Sequence, residues 1–267
     1  MRVAPIASAR ATAPPHLRDG TDRAAHATVA RPTRTAAPGA RATPTLVGTW
    51  HGEDQAVPGR RPGSGPLEAL ESVAMLVPFR RGQKIYDERD PVERWYRVAR
   101  GAAKEYALLA DGRQQIVDFL LPGDIFGFGA HDEHHFTAEV VAKGTVLARY
   151  PRREVETLAE RDPRLGRLLR EIAFEAAARS QTRMLALARM RAPQRVGAFL
   201  LEMAGRLSAE SAEGIALPMS RYDIADYLGL SAEAVSRSFT KLKRCGVIRL
   251  SGTRRVRILD RTALEWE

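Results

Sequence analysis

The sequence predicts an α+β chain: a small antiparallel barrel or jelly roll, then a long helix, then a winged helix-turn-helix. Three observations predict it. Between residues 83 and 150 short apolar runs recur at roughly ten-residue spacing, closed by Gly or Pro. From Pro163 to about Arg191 the apolar positions repeat at helical spacing instead. From Met219 to Cys245 two short amphipathic segments flank Gly229.

Taken in order, residues 1–65 are dominated by Ala, Arg, Pro, Thr and Gly. Such a segment buries too little apolar surface to offset chain entropy, so a disordered basic extension is expected. Its nine arginines face four acids, Asp19, Asp22, Glu53 and Asp54. The roll is expected over 66–151, opening with a helix at Leu67–Leu76. Strands follow at Gln83–Tyr86, Trp95–Val98, Ala103–Leu109, Gln114–Leu121, Ala138–Val141 and Val146–Tyr150. Gly101, Gly112 and Gly123 mark turns between them. Residues 152–192 read as a short helix, Arg152–Glu160, and a long one from Pro163. Leu165, Leu169, Ile172 and Ala176 follow a 4-3-4 spacing, and Met184, Leu187 and Met190 extend the stripe. A seam of this kind predicts a homodimer; packing on the chain's own roll is the alternative. Residues 193–267 form the last domain. Pro193 breaks the helix, Val196–Leu207 starts another, and 208–218 read as a polar loop. Val247–Leu250 and Val256–Leu259 read as a two-stranded wing.

The helix-turn-helix itself is well marked. Ser220 and Asp223 have capping-box spacing, and Ile224, Ala225 and Leu228 share one face. Gly229 can take the left-handed conformation that ends a helix. Ser231 is placed as the next N-cap, and Ala234, Val235, Phe239 and Leu242 face inward. Glu233, Ser236 and Arg237 lie at i, i+3 and i+4, on one face. A carboxylate accepts from the cytosine amino group, and an arginine grips guanine O6 and N7. These three are therefore the expected base readers. Arg221, in what reads as an exposed first turn, Ser231 at a helix N-terminus, and Lys241 are expected on phosphates. An ordinary i, i+4 surface pair between Glu233 and Arg237 is the plainer reading.

Composition agrees. The chain has 267 residues, 42 Lys+Arg against 32 Asp+Glu, and a net charge of +10. Residues 219–257 hold nine of those bases against three acids. A local surplus of this kind suits a polyanionic partner, double-stranded DNA above all. The one cysteine, Cys245, excludes an intramolecular disulfide, a CxxC zinc site and a four-cysteine iron–sulfur cluster within the chain. Its neighbours Lys243 and Arg244 are cations that favour thiol reactivity, which makes Cys245 the candidate for redox control. No apolar run reaches the ~18–20 residues of a membrane span, and the N-terminus lacks a secretory core. A cytoplasmic protein without membrane contact is expected. The cluster His131, Asp132, Glu133, His134, His135 with Glu139 has metal-ligand residue types, but reads more simply as a polar loop.

Three stretches carry a resemblance: KIYDERDP (84–91), DGRQQIVDFLLPGDIFG (111–127) and LPMSRYDIADYLGLSAEAVSRSFTKLKRCGVI (217–248). Over about Leu67–Arg257 the sequence resembles the CRP/FNR family of bacterial transcription regulators. The resemblance implies a cyclic-nucleotide-type β-roll, a dimerisation helix, a winged helix-turn-helix, and two half-sites ~34 Å apart. RNA polymerase is the further partner it implies. CRP-type proteins carry an arginine immediately before the reading glutamate, where this sequence has Ala232. The Glu233, Ser236, Arg237 arrangement resembles the FNR and FixK branch, which implies a TTGAT-type inverted repeat. At the position of the Arg-Ser or Arg-Thr pair that holds a cyclic phosphate in CRP-type proteins stand Phe136 and Thr137. A cyclic phosphate would lack its charge partner there. The expectation is a regulator, an activator rather than an enzyme, with no cofactor. A ligand-gated regulator binding nucleotide, haem or nitric oxide in the roll is the alternative within the family. A metal-dependent cupin-like enzyme is the alternative outside it.

Overall fold

The structure is a computed structural model that describes residues 65–129, 132–207 and 214–265. The basic extension expected over 1–65 lies outside the described residues apart from Gly65, and so does His131.

Among the described residues eight strands build the roll: β1 (Met75–Phe79), β2 (Lys84–Tyr86), β3 (Arg94–Arg100), β4 (Ala103–Leu108), β5 (Gln114–Leu120), β6 (Ile125–Phe126), β7 (Thr137–Val140) and β8 (Thr145–Pro151). They form two antiparallel sheets, ordered β1-β8-β3-β6 and β2-β7-β4-β5. Tyr86, Val98, Ala103, Leu120, Phe126 and Leu147 meet in the core they enclose. Gly101, Gly112 and Gly123 take φ of +89°, +81° and +97°, a region L side chains rarely enter. Gly101 is the tightest of these turns. A Cβ there would strike Thr145, whose hydroxyl accepts from the Ala102 amide at 3.2 Å. Gly101→Ala is expected to cost about 2–4 kcal/mol through left-handed strain plus overpacking, read as a lower denaturant midpoint.

Two strands of the roll escape the sequence reading. The expected helix at Leu67–Leu76 is only α1 (Pro66–Glu71), and its tail becomes β1. Met75 to Phe79 pair residue by residue with Arg149 to Thr145, which satisfies backbone groups that a longer helix would have used internally. The two-residue β6 is held by β3 in the same way.

After the roll come α2 (Arg152–Arg161) and α3 (Pro163–Arg189), started by Asp162, whose side chain accepts from the Arg164 amide. The expected dimer seam is only partly free. Leu165 is fully buried and Leu168 nearly so, against Tyr150, Val155 and Ile125 of the same chain, with Leu169 and Ile172 beside them. The first turns of α3 therefore pack on their own roll. Farther on, Phe174, Ala178, Gln181, Leu185 and Ala188 are all exposed and fall at 4-3-4-3 spacing. Phe174 is 71% and Leu185 56% exposed, high for such side chains.

The last domain holds α4 (Ala192–Arg206), β9 (Ile215–Ala216), α5 (Arg221–Leu228), α6 (Ala232–Arg244), β10 (Ile248–Ser251) and β11 (Arg255–Ile258). Pro193 sits in the first turn of α4, where its missing N–H costs nothing. Part of the expected polar loop is β9, which pairs with β11 and makes the wing three-stranded; residues 208–213 lie outside the described residues. Arg195 joins the helices. It donates to the carbonyls of Leu187 (2.8 Å) and Met190 (3.0 Å) at the end of α3 and of Leu228 (3.0 Å) at the end of α5. A guanidinium at two helix C-termini satisfies orphan acceptors and complements both dipoles.

Candidate nucleic-acid interface

The start of α5 is fixed by a complete capping box. Ser220 donates through its amide (2.8 Å) and hydroxyl (2.6 Å) to Asp223, and the Asp223 amide returns to the Ser220 hydroxyl at 3.1 Å. Burial pushes the Asp223 carboxyl up, but the Ser220 bonds and Lys104 outweigh it and hold it below the usual range. Gly229 ends α5 in the left-handed conformation at φ 59°. Ser231 then caps α6, accepting from the Ala234 amide at 3.1 Å. Caps of this kind contribute about 1 kcal/mol each.

On α6 the inner face is Val235, Phe239 and Leu242, all buried against Ile224 and Leu228 of α5 and Val196 and Leu200 of α4. That burial leaves Glu233, Ser236, Arg237 and Lys241 exposed, as the spacing predicts. Glu233 and Arg237 form no ion pair among the described residues. The Glu233 carboxyl is held below its usual range by its own backbone amide and the Ser231 hydroxyl, with Arg237 a smaller influence. Acid, hydroxyl and guanidinium thus stand side by side, charged and open, on one helical face. Lys243, Arg244 and the wing residues Arg249, Arg254 and Arg257 are exposed on the same domain.

Arg221 departs from expectation. It is half-buried rather than exposed. Its guanidinium lies 3.2 Å from the centroid of the Phe239 ring, and burial lowers its pKa to about 10. The stack ties α5 to α6, and Nη1 of Arg221 is buried without a hydrogen-bond partner among the described residues, so packing comes before any outside contact. Cys245 is the C-cap residue of α6 and is exposed.

In the roll, Phe136 is at the surface, and the Thr137 hydroxyl accepts from the Glu88 amide at 3.1 Å. A shallow cleft beside them is lined by Glu88, Asp132 and Glu133 with Arg89 and two histidines. Three carboxylates make a poor cradle for a phosphate. His134 is buried and stacks on Tyr86 at 3.6 Å between centroids, almost parallel. On the far side Tyr86 donates to Glu105, whose carboxyl burial pushes up to about 7. These side chains fill the interior with internal contacts that no local pattern announces. Lys104, Arg195 and Arg206 were equally invisible, because their partners lie far along the chain or are backbone carbonyls.

Comparison with known proteins agrees with this architecture. Residues 194–266 match a model of the Crp-like helix-turn-helix domain, and residues 76–162 match the cyclic nucleotide-binding domain. The chain is 40% identical over 202 residues to the nitrogen fixation regulation protein FixK of Rhizobium meliloti, covering 76% of this chain and 90% of the relative. Against the FixK of Bradyrhizobium diazoefficiens it is 39% identical over 184 residues, covering 68% and 77%. Against the transcriptional activator protein anr of Pseudomonas aeruginosa it is 31% identical over 206 residues, covering 74% and 84%. The solved structure of FixK2 from Bradyrhizobium japonicum superposes with a TM-score of 0.68 at 40% identity, covering 72% of this chain and 96% of that one. No helix among the described residues is long and apolar enough to cross a membrane. With its roll, its long helix and its winged helix-turn-helix, the chain belongs to the Crp/Fnr family of DNA-binding transcription regulators and is not an enzyme.

Proposed function

We propose that the protein is a homodimeric activator that reads a TTGAT-type inverted repeat and recruits RNA polymerase in the cytoplasm. The observation that carries the reading is the exposed face of α6. Glu233, Ser236 and Arg237 stand together there with no ion pair between acid and base. An acid amid so many bases has no use on phosphate and a direct one on a cytosine amino group. Ser231 and Lys241 flank that face as phosphate contacts, and the half-buried Arg221 is the third. The exposed 4-3-4-3 seam on α3 supports the dimer, because a second copy of the same helix covers it. FixK and anr, its relatives, are named as a nitrogen fixation regulator and a transcriptional activator.

The test is titration of the full chain against a duplex carrying two TTGAT half-sites and a scrambled one of equal length. Tighter binding to the repeat is expected, with a steep loss of affinity as salt rises. Equal affinity for both duplexes sinks the assignment.

A further inference from the structure

The reading domain does not hang free of the roll. Strand β4 has two working faces. Ala103 and Glu105 point into the roll, whereas Lys104 and Tyr106 point out toward α5 and α4. Lys104 is 6% exposed. Its Nζ lies 3.1 Å from Asp223 Oδ1, donates to Gln114 at 3.1 Å, and stands 4.0 Å from Glu139. Asp223 is the capping-box acid, so one of its oxygens starts α5 and the other takes the cation of the roll. Next to it Gln115 donates to the Asp226 carbonyl. At a second point, the last turn of α4, the direction is reversed. Arg206 reaches from the reading domain into the roll, to Asp124 at 2.7 Å, Asp118 at 3.4 Å and the Phe119 carbonyl. Its neighbour Glu202 accepts from it at 2.9 Å and from the Tyr227 hydroxyl at 3.1 Å. Between the two points Phe119 of β5 packs on Tyr227 of α5, 4.9 Å between ring centroids.

The apolar contact supplies adhesion, but it is non-directional and would tolerate sliding. Buried ion pairs add little net stability over apolar replacements; geometric specificity is the use they can serve. Two of them at separate points, each domain lending one cation to the other's acids, fix rotation as well as distance. Docking by these contacts leaves Glu233, Ser236 and Arg237 exposed, so it orients the reading helix without covering it.

We infer that Lys104 and Arg206 are positioning residues for DNA recognition: a reciprocal pair of largely sheltered ion-pair clamps, one on the buried Lys104 and one on the part-buried Arg206, sets the angle between reading helix and roll. In a dimer that angle fixes the separation of the two reading helices. The role rests on the dimeric, two-half-site reading above. It predicts that side chains remote from DNA control binding to two half-sites together while leaving one half-site unaffected, since effective concentration enters only when both heads must engage.

The experiment uses the full chain with Lys104→Met, which keeps the length of the side chain and removes its charge, and with Lys104→Arg as the conservative control. Arg206→Lys is the second probe, because removing its charge outright strands Asp124 and Glu202, while Asp118 keeps Arg179 at 3.7 Å, and endangers folding. Each variant is titrated against a two-half-site duplex, the same duplex lengthened by one base pair between half-sites, and a single half-site. Thermal melting and sedimentation report fold and dimer. Lys104→Met is expected to lose about tenfold on the two-site duplex, to hold within about twofold on the single site, and to discriminate less between the two spacings. Lys104→Arg restores the pattern. A parallel loss on two-site and single-site DNA, an unchanged spacing preference in a folded dimer, or tighter binding on release of the clamp each overturns the role. If the unmodified chain shows no two-site preference, the dimeric reading itself fails, and the role with it.

Discussion

Leu185→Asp, or Phe174→Asp, is expected to make the protein monomeric and to lower its affinity for the inverted repeat by ~10²–10⁴-fold. Both side chains are exposed, 56% and 71%, so neither supports the fold of its own chain. In a paired helix each would face an apolar knob of the partner, and a carboxylate there is desolvated without a counter-charge. Two linked reading heads bind two half-sites far more tightly than one head binds one. Sedimentation should show the monomer, thermal melting of the isolated chain should change little, and DNA titration should show the loss. Persistence of the dimer in both variants would mean that the exposed seam on α3 is not the contact.

Arg237→Ala should abolish most discrimination at one position of each half-site, about 1–3 kcal/mol per contact and hence twice over in a dimer. Binding to random DNA should fall far less, because phosphate contacts supply that term. Lys241→Ala should behave in the opposite way, weakening all sequences alike and flattening the salt dependence by about one contact per head. Competition titrations with single-base variants of the half-site separate the two. Equal loss on specific and random DNA would remove Arg237 from base reading.

Much of this was legible in the sequence, for a physical reason. Turns, caps and helical faces are decided within a few residues: Gly101 and Gly229 by positive φ, Ser220 and Ser231 by a hydroxyl three residues from a free amide, Phe239 and Leu242 by spacing. The exposed face of α6 proposed to read bases follows from the same local rule, since burying Val235 and Phe239 leaves Glu233 and Arg237 outside. What escaped depends on distant partners. Met75–Phe79 becomes a strand only because β8 stands ready to pair with it. Leu165 continues the apolar repeat of α3 yet is claimed by Tyr150 and Val155 of its own roll, which moves the free seam toward Phe174 and Leu185. Arg221 looked exposed in a first turn but found an aromatic ring eighteen residues on. Lys104 and Asp223 are 119 positions apart, a distance no periodicity spans.

The alternation along β4 bears on how such proteins can change over time. Its neighbouring side chains serve different cores, with Ala103 and Glu105 given to one and Lys104 and Tyr106 to the other. A single inserted or deleted residue there would exchange the two sets, sending a lysine into the roll and an acid toward the helices. Gains and losses of chain length should therefore be tolerated in the exposed turn at 109–113 and rejected within the strand. Descent with a variable hairpin tip and an invariant strand length is the record this layered arrangement would leave.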